Sequence, residues 1–152
     1  MIVLKNFLIG CFICCLSLSQ VSCSESGHEG HGGHESTSVS ETVGQNFRAK
    51  ILSWSNGPQV SGDSVAEMNN ECIVEVLLAD GSAPEALTVE TAFPYMKVHG
   101  HGAPDEQITF KIEGNKVTVS KIAFTMSGPW ELHIKVSAGG RSEELEIPVV
   151  VP

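Results

Sequence analysis

Met96, His99 and His101 lie within six residues of one another, in Phe93-Pro94-Tyr95-Met96-Lys97-Val98-His99-Gly100-His101-Gly102-Ala103-Pro104. One thioether and two imidazoles are a donor set for copper: soft sulfur favours Cu(I), and imidazole serves both Cu(I) and Cu(II). In a regular strand His99 and His101 would share one face with Lys97 while Met96 faced the other way. The glycines and Pro94 predict a bend instead, through which all three donors can converge. A second methionine, Met126, precedes the turn-forming Gly128-Pro129 pair in Phe124-Thr125-Met126-Ser127-Gly128-Pro129-Trp130-Glu131-Leu132, and is the candidate fourth ligand. Set against this metal reading, methionine in a β domain commonly fills the core, and a His-Gly-His loop is commonly just solvated.

A weaker accessory metal tract is formed by His28, His31 and His34, spaced every third residue and interleaved with Glu29 and Glu35. Such a run can chelate Zn²⁺, Cu²⁺ or Ni²⁺, at the entropic cost of wrapping a flexible chain around the ion; otherwise it is a solvated linker. Catalytic signatures are missing: there is no G-x-S-x-G elbow, phosphate-binding loop or H-E-x-x-H helix motif, and the expectation is a protein that is not an enzyme.

The elements that must position these residues follow from hydropathy and turn chemistry. From Phe47 onward, short apolar runs with period-2 alternation are separated by Gly, Pro, Asn and Asp at intervals of roughly ten residues. They predict strands over 47–55, 71–79, 86–93, 106–113, 116–123, 129–137 and 143–151, and no segment shows a helical period. Turns are expected at Ala79-Asp80-Gly81-Ser82, Glu113-Gly114-Asn115-Lys116 and Ala138-Gly139-Gly140-Arg141, where Gly and Asn accept positive φ. Seven short strands imply an all-β fold, an immunoglobulin-like antiparallel sandwich. Along the predicted strand 129–137, Trp130, Leu132, Ile134 and Val136 should point inward, with Glu131, His133 and Lys135 outward.

The amino terminus reads as an export signal. Residues 1–22 carry the single charge Lys5, then an apolar run from Phe7 to Leu18, then small and polar residues before Cys23. The run is shorter than the roughly 20 residues a membrane-spanning helix needs, which predicts cleavage. Cys23 is the expected lipidation site of a lipoprotein signal, although Gln20 stands where such signals usually carry Leu. Cleavage by ordinary signal peptidase near Ser22 or Ser24 is the alternative. Residues 23–46, rich in Ser, Gly, Glu and His, then form a flexible tether, and 47–152 the folded domain. Of the five cysteines only Cys72 lies in that domain, which excludes an internal disulfide framework and reads as a small buried hydrophobe. Nine Lys+Arg against eighteen Asp+Glu give a net charge of −9. That charge repels nucleic acid and attracts cations.

Two segments together carry a family resemblance. Pro94, Met96, His99 and Gly100, followed by Thr125, Met126, Gly128, Trp130 and Leu132, resemble the motifs of YtkA-like and FixH-like domains of bacterial envelope proteins, over about residues 70–151. The resemblance implies an immunoglobulin-like sandwich, a location in the cell envelope facing the periplasm or the cell surface, and a link to copper handling or to the assembly of copper-containing respiratory oxidases. The expected function is that of a lipid-anchored copper-binding protein that sequesters the ion or delivers it to an envelope metalloprotein or transporter. The alternative is a metal-free interaction or assembly module. Lys97 departs from the family pattern, since a lysine beside a ligand repels a cation unless it points away.

Overall fold

The computed structural model describes residues 40–61 and 69–152. Nine strands form in chain order: β1 (Glu41–Val43), β2 (Phe47–Asn56), β3 (Asn70–Leu78), β4 (Thr88–Met96), β5 (His101–Gly102), β6 (Thr109–Glu113), β7 (Lys116–Ile122), β8 (Gly128–Ala138) and β9 (Arg141–Val151). There is no helix among the described residues. The strands make two antiparallel sheets, one in the order β1-β2-β3-β7-β6 and the other β5-β4-β8-β9. This is the expected all-β sandwich, with two strands more than the alternation predicts.

Both additions have physical causes. β1 falls inside the segment read as tether, whose polar composition hid three residues that gain stability by pairing Glu41, Thr42 and Val43 with Lys50, Ala49 and Arg48. β5 is too short to leave a periodic trace and exists because the chain turns sharply after Met96. The predicted strand at 106–113 starts only at Thr109, since the Ile108 N–H closes a turn onto the Asp105 carbonyl at 2.9 Å. β4 runs three residues past its predicted end, through Pro94. Pro94 keeps its place opposite Leu132 of β8 and its carbonyl accepts from the Ala103 N–H at 3.2 Å beside the short β5, an edge at which a proline is tolerated.

The core is the meeting of the two inner faces. Phe47, Ala49 and Ile51 of β2, Cys72, Val74 and Val76 of β3, and Val117 and Val119 of β7 oppose Trp130, Leu132, Ile134 and Val136 of β8 and Leu145, Ile147, Val149 and Val151 of β9. Each large apolar side chain so buried contributes about 1.5–3 kcal/mol relative to exposure. Among the described residues, the fully buried polar side chain of Asn70 is satisfied. Its amide donates to the carbonyls of Gln59 and Ile122 at 3.0 and 3.1 Å, and its oxygen accepts from the Gln59 N–H at 2.8 Å. The Ser61 N–H in turn donates to the Phe124 carbonyl at 2.7 Å, so residues 59–61 brace the chain just before the Met126 segment.

Candidate functional site

β4 ends at Met96, and the chain reverses at once: the N–H groups of His99 and Gly100 both donate to the Met96 carbonyl, at 3.1 and 2.9 Å. Gly100 sits at φ 66°, a conformation that costs glycine nothing. The reversal pairs Met96 directly with His101. Cross-strand partners project to the same side of a sheet, so the bend places the Met96 and His101 side chains on the inner face. His99, exposed in the turn, has its ring centre 5.9 Å from that of His101. The His101 ring stands edge-on to Trp130 at 6.1 Å, and Trp130 in turn meets Phe124 at 5.5 Å and Phe124 meets Trp54 at 6.0 Å. A column of aromatic rings therefore rises through the core and ends at the two histidines.

The second motif closes the same end of the sandwich. The Trp130 indole N–H donates to the Met126 carbonyl at 2.9 Å, fixing the loop between β7 and β8 above the core. Gly128 lies against Met96: a side-chain carbon added there would sit 3.5 Å from the Met96 methyl. The two methionines differ sharply in setting. Met96 is 1% exposed and belongs to the core cluster, whereas Met126 is 39% exposed. The structure thus brings His99 and His101 together, places His101 and Met126 around Trp130, and makes Met96 the floor beneath them. Two imidazoles sharing an ion at bond lengths of about 2 Å have ring centres roughly 5–6.5 Å apart, and the observed spacing lies in that range. Lys97 points away from this end. Its ammonium pairs with Glu131 at 3.1 Å and Glu146 at 3.4 Å on the outer face of the four-stranded sheet, and those carboxylates, Glu131 foremost, raise its pKa.

That outer face holds a cluster the motif reading passed over. His133 projects outward as the alternation of β8 requires, yet it is only 7% exposed. Phe93 stacks on its ring at 4.7 Å and Tyr95 meets it edge-on at 5.6 Å. Its Nδ1 lies 2.8 Å from Glu144 Oε1, and its Nε2 lies 3.4 Å from Glu131 Oε2. Glu146 is its direct partner on β9. The signal was present in the sequence: Gly139 and Gly140, at φ 58° and 75°, form a two-residue hairpin turn that sets His133 opposite Glu146. The alternation of β8 by itself gives His133 only as an outward residue.

Cys72 is fully buried, and burial first, then the neighbouring Glu71 charge, pushes its thiol up to about 12, as befits an inert core residue. Cys23 and the accessory histidines His28, His31 and His34 lie outside the described residues, as does the leader over 1–22. Comparison with family models, with characterised proteins and with solved structures returns no match.

Proposed function

We propose that this chain is a lipid-anchored, copper-binding protein of the bacterial cell envelope, which holds the ion at the His99–His101 end of the sandwich and sequesters it or passes it to an envelope metalloprotein or transporter. The observation that carries this reading is the 5.9 Å approach of the two imidazoles beside Trp130 and the Met126 loop. Exposed His99 and half-buried His101 supply the imidazoles, exposed Met126 on the neighbouring loop is the candidate thioether, and Met96 can join only if its sulfur reaches out of the core. Lys97, neutralised on the far face, does not oppose a cation there. The leader, Cys23 and the tether supply the envelope placement, and His28, His31 and His34 a weaker capture tract. The motif resemblance to YtkA-like and FixH-like domains supports the same assignment.

The experiment is a Cu(I) titration under competition with a chromophoric chelator, using the full chain with His28, His31 and His34 replaced by Ala. About one equivalent is expected to bind, and His99→Ala/His101→Ala should weaken it by more than the 10–100-fold typical of outer-shell changes. An unchanged affinity in the double variant overturns the reading. The burial of Met96 favours the second reading, a metal-free assembly module in which the methionine is core. On that reading, partner capture persists after chelation and in Met126→Leu.

A further inference from the structure

His133 is the buried centre of a group of carboxylates on the outer face of the four-stranded sheet. A carboxylate only accepts hydrogen bonds, so the 2.8 Å approach of Glu144 to Nδ1 requires the ring proton to sit on Nδ1. Nε2 faces Glu131 Oε2 at 3.4 Å, where it can hold either a proton or a metal ion against the carboxylate, in a side chain only 9% exposed. Glu146 closes the group: one ligand atom each from Glu131, His133 and Glu146 lies within 4.8 Å of the others. The cation this convergence now holds is the Lys97 ammonium, paired with Glu131 and Glu146.

We propose that the outer face of the four-stranded sheet carries a second metal site, for a divalent cation of the Zn²⁺ class, formed by His133 Nε2, Glu131 and Glu146, with Glu144 orienting the ring and Lys97 as a displaceable internal counter-ion. One imidazole and two carboxylates form a donor set for Zn²⁺ and its neighbours in affinity, not for the thiophilic Cu(I). A carboxylate on the far nitrogen of a ligating histidine is the usual outer-shell device for fixing tautomer and ring orientation, and Glu144 occupies that position. Phe93 stacks on the ring and Tyr95 meets it edge-on, both from β4. The scaffold is rigid, because His133 and Glu146 are opposite one another in a regular hairpin and Glu131 is two residues along on the same face. The Lys97 ammonium, bridging Glu131 and Glu146, already occupies the cation's place, and a side chain 69% exposed can swing clear. Half-exposed Glu146 and the ends of both carboxylates can rotate to close the ligand separations to bonding geometry.

The chain has six histidines, and replacing His28, His31, His34, His99 and His101 by Ala leaves His133 alone. In that full-length variant, Zn²⁺ titration against a fluorescent indicator is expected to show a site that shifts the His133 Nε2 resonance in long-range ¹H–¹⁵N spectra. Glu146→Gln, at a half-exposed position that does not threaten folding, should weaken the site by about tenfold or more, and Lys97→Met should tighten it by about threefold to tenfold. A Zn²⁺ affinity unaltered by Glu146→Gln, or a His133 resonance unmoved by saturating Zn²⁺, overturns the proposal. Glu146→Gln should leave Cu(I) binding by the otherwise unaltered chain as it was, which keeps the two sites separable.

Discussion

Among single residues, Glu143 shows how a charge can fasten the two sheets. Its carboxylate, on β9, accepts hydrogen bonds from the N–H groups of Gln45, Asn46 and Phe47 at 2.6, 2.8 and 3.0 Å, capping the turn between β1 and β2. Burial alone would raise its pKa, but the N–H groups of Asn46, Gln45 and Phe47 together outweigh it and hold the pKa below the usual 4.5. A carboxylate depressed on folding adds stability that is fully present above its unfolded value and is lost as pH falls through the folded one. Glu143→Gln is therefore expected to cost about 1–3 kcal/mol at neutral pH, with the difference from wild type shrinking as the pH drops below 4.5, as read by urea unfolding at several pH values. Gly44 belongs to the same device, since a side chain there would collide with the Glu143 carboxylate.

For the elements, the decisive join is between the β4–β5 reversal and the loop entering β8. Trp130 links them, edge-on to His101 and hydrogen-bonded to the Met126 carbonyl. Trp130→Phe keeps the buried aromatic body and removes the indole donor. It should cost about 0.5–1.5 kcal/mol in thermal unfolding and loosen the loop whose Met126 carbonyl loses its donor, read as faster hydrogen exchange across that loop. Copper affinity should fall with it if Met126 is a ligand and stay constant if it is not. Strand alternation placed β2, β3, β7, β8 and β9 to within two residues, because each buries one face against a partner sheet. It missed β1 and β5, whose three and two residues carry too little pattern to stand out. It ended β4 early because Pro94 reads as a strand breaker, although at this partly unpaired edge it breaks nothing.

For the whole molecule, stability rests on a dry interface between sheets with no disulfide among the described residues. Cys72 lies in the middle of it, pushed up to about 12 by burial and by Glu71, so its thiolate is scarcely formed at neutral pH. Alkylation followed by peptide mapping should leave Cys72 unmodified in the native protein and label it only at denaturant concentrations that unfold the sandwich. Labelling under native conditions would mean that the core opens locally. The acidic excess, net −9, acts over the same scale: it favours cations near every surface, which suits a molecule with donors at one end and on one sheet face.

The sequence by itself determined the all-β class, the inward row of Trp130, Leu132, Ile134 and Val136, and the burial of Cys72, because each follows from local alternation and the need to hide apolar surface. It also marked Met96, His99, His101 and Met126 as donors worth placing. Only the tertiary structure decided that Met96 pairs with His101 yet sinks into the core, that Lys97 reaches across to Glu131 and Glu146, and that His133 is buried among Phe93, Tyr95 and three carboxylates. Those outcomes depend on which strands become neighbours and on how far one sheet shields another. A single strand's periodicity tells which way a side chain points, and the neighbouring strands determine what it meets there.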